Sequence, residues 1–332
     1  MSGPVDNREA LVIYGEALID AFPDQEQIGG APFNVARISA LFGRDPLLIT
    51  RLGQDPRAGL IMADMQRFGM DLTGVQIDPG HPTGLVQVDM QGNSHRFLLL
   101  PDQAYDYIEA QPAAQAMAHY QTRHPGPGVL YYGTLIRRAQ KSGATLTELL
   151  QHSRAIKFLD LNLRDDPHQT ATLNHSLHAA DILKVNHDEL NVLADRFMPE
   201  YHPLNFDLTQ DQRVRRLFDA IGQLIDLFTL QAVIVTLGAN GYVYLNHSGQ
   251  QINGFSDQPD CIQVVDTVGC GDAFSALFIT GLLNQWPVYL TLRRAHQFAG
   301  ATCTIQGAVS ADLQFYKPWQ QQWQSSLPSS EG

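Results

Sequence analysis

At 332 residues, 44% of them hydrophobic, the chain can bury a substantial core as one large domain or two modest ones. Its 34 acidic against 22 basic side chains give a net charge of -12, which disfavours nucleic acid and anionic membrane surfaces as partners. Cys261, Cys270 and Cys303 are too few and too far apart for a disulfide framework, and no apolar stretch approaches the roughly 20 residues of a membrane span, so a cytoplasmic protein is expected.

Taken in chain order, Leu11 to Ile19 reads as a buried strand. Gly29-Gly30 then opens a helix with Pro32 in its first turn. Leu47 to Arg51 gives a second strand, and Arg57 to Phe68 a helix that Gly69 stops. From Val75 to Leu100 the pattern changes to short extended runs, Thr83 to Met90 and His95 to Leu100, joined by Gln91-Gly92-Asn93, which is hairpin chemistry. The alternation resumes with strands at Val129 to Tyr132, Lys157 to Leu161 and Ile182 to Val185, separated by helices at Ala144 to Gln151 and Thr170 to Ala179. The stripe from Val214 to Phe228 recurs at helical spacing and leads into the strand Ala232 to Thr236. Ala273 to Leu283 is apolar nearly all round and reads as a helix buried inside the domain. This order predicts an α/β fold, a mostly parallel sheet covered by helices, with a small inserted β-sheet. Residues 1–320 form a single domain on this reading, with lid elements around 19–28 and 75–105, and the Gln- and Ser-rich tail from about Pro318, over 321–332, is loosely held.

An anionic protein that handles phosphates must gather positive potential locally, from backbone N–H groups at glycine-rich turns. Asp266-Thr267-Val268-Gly269-Cys270-Gly271-Asp272 is expected to join a strand to the buried helix. Its two glycines let successive N–H groups converge, and the helix N-terminus adds partial positive charge. Asp272, in the first helical turn, is placed to accept a proton from a group bound there. In isolation, two glycines shaping a turn and an acid on a helix dipole are an equally good account. The segment lacks the third glycine of the dinucleotide fingerprint, and without a Gly-Lys pair the chain has no Walker A loop.

Asp266 to Asp272 resembles the C-terminal signature of the PfkB carbohydrate kinase family, whose fold is ribokinase-like. Gly29-Gly30-Ala31-Pro32-Phe33-Asn34-Val35-Ala36 resembles that family's N-terminal motif, and Asn186-His187-Asp188-Glu189 its central Asn-x-x-Glu motif. Val235 to Gly241 is similar to its nucleotide-contacting turn. The resemblance implies that Asp272 is the catalytic base and that the N–H groups of Gly269, Cys270 and Gly271 form the anion hole. It implies contacts to the nucleotide from Lys184, Asn186, Thr236, Gly238, Gly241, Thr267 and Ala308, and Mg²⁺ with ATP held through water by Asn186 and Glu189. A monovalent cation is a further cofactor that it admits. Alone, Asn186 and Glu189 would be a helix cap and a solvated acid, and Thr236 to Gly241 a hairpin turn.

A sugar needs several hydrogen-bonding partners at fixed positions. The resemblance places Asp20, Gly29, Gly30 and Asn34 in the sugar pocket, although singly Asp20 and Asn34 read as a loop acid and a helix-start amide. Gly15 to Asp20 with Gly29 to Asn34 is closest to the fructokinase branch. Asp160-Leu161-Asn162-Leu163-Arg164 resembles a strand end of fructokinases and 2-keto-3-deoxygluconate kinases with Leu161 in place of the usual proline, which makes Arg164 a candidate ligand contact. Arg96, in the hairpin, is a second candidate, with an exposed strand arginine as its plainer account. The hairpin resembles the family's lid, through which many relatives form a homodimer. The expected activity is ATP-dependent phosphorylation of a sugar, with fructose first. 2-Keto-3-deoxygluconate kinase, ribokinase, nucleoside kinase and a silent sugar or nucleotide sensor are the alternatives, and a nicotinamide-dependent dehydrogenase is disfavoured by the missing fingerprint.

Overall fold

The computed structural model describes residues 9–91, 94–163, 169–198, 210–255 and 263–324. The first predicted strand is two. β1 (Leu11–Tyr14) ends at Gly15, whose φ of 156° places it against the Pro32 ring, and β2 (Leu18–Ala21) belongs to a different sheet. β3 (Glu26–Gly29) returns antiparallel to β2 and feeds α1 (Ala31–Leu41). β4 (Leu47–Gly53), α2 (Pro56–Arg67) and β5 (Val75–Asp78) follow. β5 pairs in parallel with β4 and so lies in the large sheet. The hairpin β6 (Gly84–Gln91) and β7 (Ser94–Leu99) is present. β6 pairs with β2, which makes a four-stranded sheet in the order β3-β2-β6-β7.

The remaining strands and helices follow the predicted order, with helices at Ala110–Arg123 and His187–Phe197 added. They are α3 (Ala110–Arg123), β8 (Val129–Gly133), α4 (Gln140–His152), β9 (Ile156–Asp160), α5 (Gln169–His178), β10 (Ile182–Asn186), α6 (His187–Phe197), α7 (Gln210–Phe228) and β11 (Ala232–Thr236). β12 (Tyr242–Asn246) and β13 (Gln251–Asn253) add antiparallel strands at one edge. α8 (Cys270–Leu283), α9 (Val288–Thr302) and α10 (Lys317–Gln324) close the chain. The described residues before α8 form a turn and no strand, because the N–H groups of Val265 and Asp266 bond the Cys303 carbonyl at the end of α9 rather than a strand.

The large sheet has the order β13-β12-β11-β10-β9-β8-β1-β4-β5, parallel from β11 to β5. Its strands are apolar on both faces, as a sheet covered on both sides requires. Val12 and Tyr14 join one core with α3 to α7, while Leu11 and Ile13 join the other with α1, α8 and α9. α8 lies between α1 and α9 and is buried almost throughout, as its apolar sequence predicts. The tail is ordered further than its composition suggests. Trp319 and Trp323, one turn apart on α10, pack on Phe298, and Trp323 also stacks on Phe42. Apolar burial of that size offsets the polar glutamines around it.

Chain order reverses between β1 and β8, with β4 and β5 to one side and β9 to β11 to the other. Ligands of open α/β sheets bind outside the carboxyl ends of the strands at such a switch point. The strand-end residues Glu16, Asp160, Asn186 and Thr236 all line one cavity of about 1150 Å³ there.

Candidate active site

The start of α8 forms the floor of this cavity. Gly269 caps the helix with φ 78°, a left-handed conformation that L side chains rarely adopt. An added Cβ there would lie 2.2 Å from the Ala308 Cβ, so the position has room only for glycine. Ala273 N donates to Gly269 O at 2.8 Å and closes the first helical bond, with no side-chain cap at the start of α8. Asp266 braces the turn: Oδ1 accepts from Val268 N and Oδ2 from Gly307 N, both at 3.0 Å. Cys270 N donates to Thr267 O at 3.3 Å, a weak bond.

Beneath the turn lies a buried charge network. Lys184 Nζ, on β10, would be 3.0 Å from a Cβ added to Gly271. Its ammonium donates to Asp160 Oδ1 and Oδ2 at 2.9 and 3.1 Å, and Ser275 Oγ donates to Asp160 Oδ2 at 2.7 Å. Burial pulls the Lys184 ammonium down, but the charges of Asp160 and Glu189 and the bond to Asp160 outweigh it and hold it above the usual lysine range. The cation is therefore fixed directly under the Gly269 to Gly271 turn.

Asn186 and Glu189 form a capping box at the start of α6, each side chain bonding the other's backbone N–H at 2.8 Å. Glu189 Oε1 also accepts from Leu163 N at 2.8 Å. Both residues line the cavity, so cap and site coincide. Burial pushes the Glu189 carboxyl above its usual range, against the opposing influence of Lys184 and the two N–H donors.

On the opposite wall, Asp20, Gly30 and Asn34 line the cavity together with Leu18 and, from the four-stranded sheet, Val86 and Leu99. Gly30 has φ 104°, and an added Cβ would meet the Glu16 carbonyl at 2.6 Å. Gly29 lies behind, with Asp20 Oδ2 filling the space over its Cα. Asn34 Nδ2 donates to Asp272 Oδ2 at 2.7 Å, which joins the two walls across 238 residues of chain.

Most of the expected residues thus share one cavity: Asp20, Gly30, Asn34, Lys184, Asn186, Glu189, Thr236, Gly238, Thr267, Gly269, Cys270, Gly271 and Asp272. Gly241 and Ala308 do not line it. Gly241 takes φ 108° because the Gly254 carbonyl fills the place of its Cβ, and Ala308 packs behind Gly269. Arg96 occupies a lid position opposite Asp89 in the β6–β7 register. Arg164 lies outside the described residues. Sequence reasoning missed Asp160 as the partner of Lys184, Ser275 beneath it and Arg37 behind Asn34. Ser275 and Arg37 each sit three residues beyond a residue already singled out, on the same helical face, and that spacing was the available signal.

A family model described as pfkB family carbohydrate kinase matches residues 7–314. The chain belongs to the pfkB family of carbohydrate kinases. As a member, it is an ATP-dependent carbohydrate kinase. Fructokinase of Escherichia coli is 25% identical over 281 residues, 81% of this chain and 83% of that protein. A sugar kinase of Pyrococcus horikoshii solved in complex with ATP superposes with a TM-score of 0.72 at 22% identity, covering 90% of this chain and 93% of the other. Fructokinase of Vibrio cholerae O395, solved with fructose, ADP and calcium, gives 0.71 at 23% identity, covering 94% and 99%. These structural likenesses establish the ribokinase-like fold of the pfkB kinases. No helix among the described residues is long and apolar enough to cross a membrane.

Proposed function

We propose that this pfkB kinase transfers the γ-phosphoryl group of ATP to a hydroxyl of fructose, with Asp272 as general base. The observation that carries the reading is the meeting of Asp272, the Gly269 to Gly271 turn and the Lys184 ammonium at one end of a cavity whose other wall holds Asp20, Gly30 and Asn34. In the step, the sugar oxygen forms a bond to the γ-phosphorus while the bridging P–O bond breaks, and ADP leaves with that electron pair. Asp272 takes the hydroxyl proton. The N–H groups of the turn and the α8 N-terminus stabilise the charge on the transferring group, and the buried cation adds to this where water is excluded.

Glu189 and Asn186 fit an outer contact to magnesium. Each carboxylate oxygen of Glu189 spends one acceptor position on a backbone N–H and keeps another for a bound water. Magnesium, when bound with ATP, neutralises charge on the β- and γ-phosphates. Thr236, Gly238 and Thr267 contact the nucleotide on this reading. Fructose is favoured by the Asp20, Gly30 and Asn34 set and by the relatives that carry fructokinase names. Free thiols at Cys270 and Cys303 suit a reducing cytoplasm. A homodimer through the lid is supported by the edge strand β7, whose Leu98 is exposed.

A coupled ADP-release assay over a panel of sugars tests the substrate. Fructose should give the highest kcat/KM. A value for ribose, 2-keto-3-deoxygluconate or a nucleoside that equals or exceeds it overturns the assignment.

A further inference from the structure

Helix α1 carries Asn34 and, three residues on, Arg37. Arg37 is buried, with its guanidinium 4.6 Å above the Phe33 ring. Its Nη1 donates to Asp64 Oδ2 on α2 at 2.8 Å. Its Nη2 donates to the Ile28 carbonyl at 3.2 Å and to Asn34 Oδ1 at 2.6 Å. The other end of the same amide donates to Asp272. Asp64, Arg37, Asn34 and Asp272 therefore form a continuous chain from α2 through α1 to α8.

The chemistry of the two terminal contacts fixes the middle one. A guanidinium offers only donors, and an ionised carboxylate only acceptors. Flipping the Asn34 amide would set its NH2 against Arg37 and its carbonyl against Asp272, replacing two charge-assisted bonds by two repulsions. Arg37 thus decides which end of Asn34 reaches Asp272. A buried ion pair is a poor source of stability, since apolar side chains of similar volume usually serve as well. Phe33 and Phe68 already provide an apolar setting into which such a side chain would pack. Orientation of Asn34 is what the charge adds.

We propose that Arg37, anchored by Asp64, is a positioning residue for phosphoryl transfer, holding the Asn34 amide so that its NH2 fixes the Asp272 carboxylate. The proposal rests on the reading of Asp272 as base. Neither Arg37 nor Asp64 lines the cavity, so the effect reaches the reacting atoms only through Asn34. A base that is misplaced by a fraction of an ångström still binds nucleotide but accepts the proton poorly.

A double-mutant cycle between Arg37→Met and Asn34→Ala tests this, with kcat, ATP binding and thermal melting measured on each protein. Arg37→Met should lower kcat roughly 10- to 100-fold in the wild-type background. In the Asn34→Ala background it should lower kcat less than about threefold, because the group it acts through is gone. ATP affinity should be unchanged in both. Equal losses in the two backgrounds, or no loss in wild type, overturn the proposal. Since Arg37→Met leaves the Asp64 charge behind, the cycle is repeated with Arg37→Met/Asp64→Asn, which removes both charges, carries the same expectation and serves alone if the single variant fails to fold. Asp272→Asn is measured alongside. Near-normal turnover in it rejects the base, whereas an inactive Asp272→Asn with no Arg37–Asn34 coupling rejects the positioning role alone.

Discussion

The Lys184 ammonium bonds both oxygens of Asp160 beneath the Gly269 to Gly271 turn, and the two side chains are almost fully buried, at 7% and 2% exposure. Lys184→Met would strand the Asp160 carboxylate, and losing one partner of a buried pair costs about 3–5 kcal/mol. Urea unfolding should show that loss, and kcat should fall as well. Lys184→Met/Asp160→Asn should recover part of the stability without recovering activity. Because the folded pKa of Lys184 is raised, its stabilisation is fully present below the unfolded value of about 10.4 and is lost as pH rises through the higher folded value. The gap between wild type and Lys184→Met should therefore be flat from pH 7 to 9 and shrink only in strongly alkaline buffer.

Gly269 and Gly271 flank Cys270 but tolerate change differently. Gly269→Ala would force an L side chain to φ 78° and against the Ala308 backbone, whereas Gly271→Ala, at an ordinary helical position, would meet only the Lys184 ammonium. Gly269→Ala should cost roughly 2–4 kcal/mol from strain and overlap together and lower kcat at least about 100-fold. Gly271→Ala should be the milder of the two. Parallel melting curves and steady-state kinetics check the order, and equal effects would contradict this account of the turn.

Cys270 and Cys303 line the same cavity as free, half-buried thiols, and Cys303 Sγ donates to the Ala299 carbonyl at 3.4 Å. The neighbouring Cys270 thiol pushes the Cys303 thiol down to about 7, and Cys303, with burial, raises Cys270. The thiolate is the reactive form. Alkylation by iodoacetamide, followed by peptide mass spectrometry, should label Cys303 with a rate that climbs through about pH 7, leave Cys270 slow and be suppressed by ATP. Cys270→Ala should change kcat less than about tenfold, roughly 1.4 kcal/mol, because the proposed anion hole uses backbone N–H groups. A larger loss would give the thiol a catalytic part.

What the sequence revealed depended on how far apart the partners lie along it. Gly269, Gly271 and Asp272 lie within one turn, so their spacing, together with the family motif it resembles, marks the proposed site in the sequence. The Asn186–Glu189 cap is local in the same way. Asp160 and Lys184 meet only because β9 and β10 pair in register, and no periodicity displays a register. Arg37 reaches Asp64 through the packing of two helices, which is equally silent in the sequence. Leu11 to Ile19 reads as one strand because both pieces are apolar, and the break comes from Gly15 making room for the Pro32 ring. The start of the tail, up to Gln324, reads as loose for the opposite reason, since polar glutamines mask two tryptophans at helical spacing that supply the burial.

The claim that Asp272 is the general base is tested most directly by the turnover of Asp272→Asn. Asparagine keeps the size of the side chain, and its carbonyl can still accept the bond from Asn34 Nδ2 that Asp272 Oδ2 now accepts at 2.7 Å. Near a helix N-terminus asparagine is about as good as aspartate apart from the charge, so stability should fall only slightly. It cannot take the hydroxyl proton. With fold and ATP binding verified on the same preparation, kcat should drop about 10²- to 10⁴-fold while KM stays near its wild-type value. A folded Asp272→Asn enzyme with near-normal kcat would contradict the assignment.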